Sequence, residues 1–94
     1  MSLEQEAERG RLAQEVIDNP VYADAFRQIE QGLTQAWRES RDAAQREECH
    51  RLLKVLDKVQ TALASTMRSG KVAEAELVSR ATLAQRIGHR LTQR

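Results

Sequence analysis

The sequence predicts an all-α domain, in which an antiparallel helical hairpin carries a peripheral N-terminal helix and a basic C-terminal helix and the chain self-associates. Apolar residues recur at spacings of three and four along most of the 94 residues, which is the period of an amphipathic helix. Aromatic residues make up only 3% of the chain, which disfavours a sheet. Helix start and stop signals at Asn19-Pro20 and Ser69-Gly70 divide a single domain, residues 1–94, into parts of about 1–18, 19–69 and 70–94.

The N-terminal helix is expected to begin at Ser2, because Ser2 and Gln5 have the spacing of a capping box. Few large apolar residues recur at helical spacing in this segment. Gly10 in its interior lowers the stability of the helix by roughly 1 kcal/mol relative to Ala. We therefore expect the segment up to about residue 10 to be frayed or to depend on a partner.

The hairpin is expected to begin at Asn19, which can cap a helix whose first residue is Pro20. Its first helix should run from about 20 to 39. Its second helix should start at a cap formed by Ser40 or Asp42 and end at Ser69-Gly70. The two stripes consist of Tyr22, Phe26, Ile29, Leu33, Ala36 and Trp37 on one helix, and of Cys49, Leu52, Leu56, Val59, Leu63 and Met67 on the other.

The C-terminal helix is expected to offer a narrow seam of small residues, too weak to dock firmly on one hairpin. This seam is the expected surface for self-association, and Trp37 at the tip of the hairpin could be a further anchor of an interface. The residues expected to anchor the interface are Trp37, Leu77, Ala81, Ala84 and Leu91.

Charge is distributed unevenly along the chain. Residues 1–30 carry seven acidic and three basic side chains, a net charge of −4, and residues 68–94 carry two acidic and six basic ones, a net charge of +4. This polarity favours contacts between copies or with an anionic partner. The side chains expected to contact that partner are Arg80, Arg86, Arg90 and Arg94. Non-specific contact with nucleic acid is one option, but without interleaved aromatic residues we expect another protein to be the partner.

No constellation of catalytic or metal-binding residues is evident. Cys49 and His50 are adjacent, so on a helix they point about 100° apart and cannot form a nucleophilic pair. One cysteine and two histidines without metal-ligand spacing predict no metal site, and no cofactor is expected. The lone cysteine, the acidic N-terminus and the lack of a long apolar run predict a cytoplasmic protein without membrane contact.

A small helical enzyme is the least favoured alternative. All-helical chorismate mutases hold a dicarboxylate with basic and acidic side chains on long helices, and the basic residues available here are Arg11, Arg27, Arg46, Lys54 and Lys58. Those enzymes begin with one long helix, whereas this chain is interrupted at Asn19-Pro20.

Helix boundaries and apolar spacing within about residues 9–77 form a recognisable pattern at Asn19 to Phe26, Ala36-Trp37, Asp42, Arg46-Glu47, Leu56 to Val59 and Gly70-Lys71. In this pattern the chain resembles a group of small helical proteins encoded by tailed bacteriophages and prophages. The resemblance implies a non-enzymatic role in phage assembly or genome packaging as an oligomeric adaptor, in the host cytoplasm or in the virion, with another phage or host protein as its partner. Small terminase subunits are one comparison, although this chain lacks a recognisable N-terminal DNA-binding domain. An inhibitor that binds a host protein is the alternative.

Overall fold

A computed structural model describes residues 1–92 and contains three helices in this range. Helix α1 spans Leu3–Asp18, α2 spans Pro20–Glu39 and α3 spans Ala43–Thr92. The described residues include no strand, so the predicted all-α class is confirmed.

The starts of α1 and α2 follow from their capping residues. The Ser2 side chain accepts a hydrogen bond from the backbone N–H of Gln5 at 3.1 Å, and the Ser2 N–H donates to the Gln5 side chain at 3.0 Å. Asn19 has extended backbone angles, and its side-chain oxygen accepts from the N–H groups of Val21 and Tyr22 at 2.9 and 3.2 Å. The capping box and the interruption at Asn19-Pro20 are therefore where the sequence predicts them.

The chain reverses direction across residues 40–42. Asp42 accepts a hydrogen bond from the N–H of Ala44 at 3.0 Å and thereby caps the start of α3. Trp37 near the end of α2 meets Arg46 in the first turn of α3, and Phe26 further back shares a cleft with Leu63. Helix α2 consequently lies antiparallel against the first part of α3.

The predicted helix end at Ser69-Gly70 is wrong. Helix α3 continues through both residues, with 50 residues in all, and Gly70 does not have a positive φ. At 1.5 Å per residue this helix is about 75 Å long. The expected separate C-terminal helix is therefore the last part of α3.

The N-terminal helix is not peripheral, which corrects a second expectation. Helix α1 makes a more extensive contact with α3 than α2 does. It also lies antiparallel to α3, with Gly10 against Gly70 and the first turns of α1 near Leu77. Gly10 is buried in this contact, so the first ten residues belong to the packed part of the molecule.

The described residues form a rod with a thin core. Its dimensions are 80 × 23 × 16 Å and its radius of gyration is 21.6 Å, whereas a compact chain of this length would have a radius of about 12 Å. The buried apolar side chains are few: Ala13, Phe26 and Ala73. Stability must therefore come from long, narrow helix contacts and not from a central core.

The last fifteen described residues of α3 extend beyond the start of α1. We call residues 78–92 the arm, and it is about 22 Å long. Every residue of the arm is exposed. The arm is therefore the part of the described chain that lacks packing within one copy.

Candidate functional site

The arm carries an apolar face that no other described residue covers. Leu83, Ile87 and Leu91 are 58%, 51% and 65% exposed. Leu77, half-buried at the base of the arm, is followed at intervals of seven by Ala84 and Leu91, so these three lie on one side of α3. Ala73 lies on the same side and is buried. The side of α3 that packs within the molecule thus continues into the arm without a covering helix.

Three of the four predicted arginines lie on the arm, but Arg80 and Arg86 point about 120° apart around the helix. Arg80 donates a hydrogen bond to Glu76 at 3.1 Å, and both side chains are largely exposed. Arg86 and Arg90 are exposed and one helical turn apart. Arg94 lies outside the described residues. Because residues 77–92 contain no Asp or Glu, the arm is uniformly basic.

Acidic side chains surround the base of the arm. A cleft between the start of α1 and α3 is lined by Glu4, Ala7, Glu8, Arg11, Glu74 and Leu77. We call Glu4, Glu8, Glu74 and Glu76 the acidic collar. The chain therefore places a basic arm directly beyond a group of carboxylates.

One arginine in this cleft is already engaged within α1. Arg11 donates hydrogen bonds to Glu8 at 2.9 and 2.6 Å and also to Glu15. The hydrogen bonds with Glu8 are the main reason that the pKa of Arg11 is raised, and they lower the pKa of the Glu8 carboxyl. Glu4 is the collar residue of α1 that does not share in this network.

Trp37 is separated from the other predicted anchors. It lies near the end of α2, far from the arm, and is 38% exposed. The guanidinium carbon of Arg46 lies 4.4 Å from the centre of its ring, a cation–π contact. Of the predicted set, Leu77, Ala81, Ala84 and Leu91 share the arm and its base, and Trp37 belongs to a different surface.

Two glycines that were expected to weaken one helix and to end another form a very close contact between α1 and α3. A Cβ atom built on Gly10 would lie 2.5 Å from the Cα of Gly70 and 3.2 Å from the carbonyl oxygen of Thr66. Neither glycine could carry a side chain at this separation. A glycine in the interior of an amphipathic helix is the one sequence signal that could have indicated such a contact.

An apolar cleft lies where α1 meets α2. Its volume is about 450 Å³, it is open to solvent, and its apolar lining includes Ile17, Phe26 and Leu63. The rings of Tyr22 and Phe26 lie with their centres 5.7 Å apart. The hydroxyl of Tyr22 is buried without a hydrogen-bond partner among the described residues.

The basic residues considered for an enzyme site do not gather around one cleft. Arg11 is held by Glu8 and Glu15, Arg27 pairs with Asp24 at 2.9 Å, and Arg46 lies over Trp37. Ten residues separate Arg27 from Trp37, which is about 15 Å along α2. Lys54 and Lys58 are exposed on α3.

Cys49 is half-buried and its neighbour His50 is exposed. Within residues 1–92 no group of three or more His, Cys, Asp or Glu side chains is arranged to hold a metal ion. None of the described helices combines the length and the apolar character that crossing a bilayer requires.

No known protein family, curated protein or solved structure matches the chain.

Proposed function

We propose that the protein is a non-enzymatic adaptor in phage particle assembly or genome packaging that acts as a homo-oligomer in the host cytoplasm. The observation that carries this proposal is the arm, which exposes Leu83, Ile87 and Leu91 on a part of α3 that neither α1 nor α2 covers. Large exposed apolar side chains grouped on one face are typical of interaction sites. The resemblance to small helical phage proteins supplies the biological setting.

The shape of the molecule suits an adaptor better than an enzyme. A rod 80 Å long can connect two partners, and its clefts are shallow and open to solvent. In the proposal, α2 and the first part of α3 form a helical hairpin that α1 strengthens, and the arm is the basic C-terminal part that makes contacts. Trp37 at the opposite end would provide a second contact surface.

The basic residues of the arm support an anionic partner. Arg86 and Arg90 are exposed on a segment without carboxylates, so their charge is not neutralised locally. An acidic protein surface is the partner we favour, because no aromatic side chain lies in the arm to stack on bases.

The proposal is tested in a phage or prophage that carries the gene. The gene is interrupted by a stop codon, and lysates are examined for particle number and DNA content by electron microscopy and gel electrophoresis. We expect normal lysis with heads that are missing or empty, and restoration by the gene in trans. Normal titres of DNA-filled particles would overturn the proposal.

Complementation with variants then tests the arm. Ile87→Asp places a charge on the apolar face and should not restore particles, whereas Val78→Asp, on the opposite side of the same helix, should restore them. Both residues are more than half exposed, at 51% and 59%, so neither change should unfold the chain. Equal behaviour of the two variants would show that the apolar face is not the working surface.

A further inference from the structure

We propose that two copies pair through one side of the helical hairpin that α2 forms with the first part of α3, so that the two hairpins make a four-helix bundle. Their tips, residues 40–42, lie at opposite ends of this bundle. The inference rests on the self-association that the proposed function includes. It places that contact on the hairpin and leaves the arm free for another partner.

Four large apolar side chains are exposed on one side of the hairpin. Leu52, Val55 and Val59 of α3 are 41%, 51% and 45% exposed. They follow one another at intervals of three and four, so they form one stripe along α3, which Ala62 extends. Ile29 of α2 is 53% exposed. We call these five residues the apolar side.

The apolar side is opposite the cleft where α1 meets α2. The hairpin residues that line this cleft include Ala23, Arg27, Glu30, Gln60 and Ala64. Ile29 and Val59 each precede a cleft residue by one position, which turns them about 100° away from the cleft. In two antiparallel helices this turn leads to the same side of the pair. The charged residues Arg27 and Glu30 therefore lie away from the apolar side, and the core of a protein interface is depleted in charge.

The chain exposes more surface than a compact chain of its mass. Its accessible surface is 7594 Å², whereas a folded monomer of 10.7 kDa would have about 5,500 Å². The hairpin is about 30 Å long and two helices, or about 20 Å, wide, so one of its sides is close in size to the roughly 800 Å² that each partner contributes to a standard interface. Two helices cover each other from one direction only, and a second hairpin would close the core.

The stripe on α3 suits a second copy of the same helix. Its spacings are three, four and three, which are the same in both directions along the chain. An antiparallel copy of α3 centred at the level of Asp57 therefore places Leu52 opposite Ala62, and Val55 opposite Val59. The larger Leu52 meets a small residue and the two valines match, so the helices can pack at an even distance. Such an isologous pair uses the same surface twice and closes on itself.

Charge favours opposite tips. Glu39 ends α2, and Glu48 precedes Leu52 by one helical turn, so both carboxylates border the apolar side near the tip. If the tips met, Glu39 of each copy would lie near Glu48 of the other, and like charges would face each other. Opposite tips keep these carboxylates apart.

Arg9 provides the opposite charge for Glu39. It forms no ion pair with another described residue. It lines a cleft with Thr66, which lies one turn beyond Ala62 on the same stripe. Trp37 meets Arg46 at one end of the hairpin and Gly10 meets Gly70 beyond the other, so pairing about the level of Asp57 brings Glu39 of one copy to the level of Arg9 of the other.

Sedimentation equilibrium of the full chain tests the surface. We expect a reversible dimer with a Kd on the order of micromolar. Val55→Asp places two carboxylates in each dimer interface and should raise the Kd at least about a hundredfold. Val72→Asp is the matched control, because Val72 is a 71% exposed valine of α3 outside the hairpin, and it should leave the Kd unchanged. Ile87→Asp in the arm should also leave it unchanged. Equal effects of Val55→Asp and either control would overturn the inference.

Disulfide cross-linking tests the register. The variants carry Cys49→Ser, which removes the native thiol, and then either Leu52→Cys or Ala62→Cys, at positions that are exposed within one copy. We expect mild oxidation to cross-link the mixture of the two variants. Each single variant should not cross-link, because identical positions would lie about 15 Å apart along the pair. A mixture that gives no more product than a single variant would overturn the inference.

A charge exchange tests the orientation. Arg9→Glu should raise the Kd about tenfold, and Glu39→Arg in the same chain should restore much of the loss. A double variant as weak as Arg9→Glu alone would overturn the proposed orientation.

The inference and the proposed function can fail separately. A wild-type chain that remains a monomer at hundreds of micromolar would overturn the inference, while the particle defect of the interrupted gene would still support the proposed function. A dimer that Val55→Asp disrupts, in a chain whose loss leaves particles intact, would support the inference and overturn the proposed function.

Discussion

Gly10 and Gly70 are the residues at which α1 and α3 come closest. We expect Gly10→Ala to lower the free energy of unfolding, although Ala is the better helix former by about 1 kcal/mol. The new Cβ would lie 2.5 Å from the Cα of Gly70, which is backbone and cannot move aside. Forcing the helices apart should cost about 1–3 kcal/mol, and thermal denaturation should show a lower Tm.

Gly32 is the matched control for this substitution. It also lies inside a helix, but a Cβ built there meets nothing within 4 Å. Gly32→Ala should therefore raise the free energy of unfolding by about 0.5–1 kcal/mol. Equal effects of the two substitutions would contradict the close approach of α1 and α3.

The Tyr22 hydroxyl provides a second test at the scale of one residue. It is buried without a hydrogen-bond partner among the described residues, so Tyr22→Phe removes a desolvated polar group and keeps the ring beside Phe26. We expect the free energy of unfolding to stay the same or to rise by up to about 1 kcal/mol in urea denaturation. Phe26→Ala, at a ring that is 8% exposed, should instead cost about 3 kcal/mol. A clear loss of stability in Tyr22→Phe would show that the hydroxyl is bonded in solution.

At the scale of the helices, the rest of the rod, residues 1–77, should fold without the arm. Deleting residues 78–94 removes no described residue that is buried, because Leu77 is the last half-buried residue among those described in α3. We expect the shortened chain to melt within a few degrees of the full chain in circular dichroism. Deletion from residue 70 onward also removes Gly70 and Ala73, on which α1 packs, and should greatly lower the Tm. Similar melting of the two truncated chains would mean that α1 does not need this part of α3.

The arm should also determine how the chain binds anions. The double variant Arg86→Gln with Arg90→Gln should bind unrelated DNA duplexes more weakly, by about the same factor for each sequence. The slope of the logarithm of the binding constant against the logarithm of the salt concentration should become shallower by about two, because two phosphate contacts are lost. The control variant carries Lys54→Gln and Lys58→Gln. These two lysines are exposed on α3 outside the arm, so the change of charge is the same. Fluorescence anisotropy at about 50 and 200 mM salt measures both quantities. Tight binding that depends on DNA sequence would contradict a non-specific role for these arginines.

The helix starts could be predicted from sequence because capping is local. Ser2 and Asn19 satisfy N–H groups only two or three residues away, so a short window contains all the information. Gly70 could not be interpreted in this way. A glycine can end a helix or permit a close helix contact, and the choice here depends on Gly10, sixty residues distant. The role of α1 could not be predicted for the same reason, because it depends on the contact that α1 makes with a distant part of α3. The arm's arginines and apolar residues were identifiable, but their exposure follows from where α1 begins.

At the scale of the whole molecule, length distinguishes the ways in which two rods can pair. One copy is 80 Å long, and arms that overlap antiparallel over about 22 Å would give a dimer about 140 Å long. Hairpins that pair about the level of Asp57 would give a dimer about 105 Å long, because each arm ends about 52 Å from that level. Small-angle X-ray scattering over a range of concentrations measures this directly, since the maximum dimension should grow with the fraction of dimer. Val55→Asp should hold the dimension near 80 Å at every concentration, while Ile87→Asp should behave as the wild type. A dimer whose maximum dimension stays near that of one copy would contradict antiparallel pairing through the arms, because antiparallel arms place the remainders of the two rods at opposite ends. A dimer about 140 Å long would contradict pairing through the hairpins for the same reason.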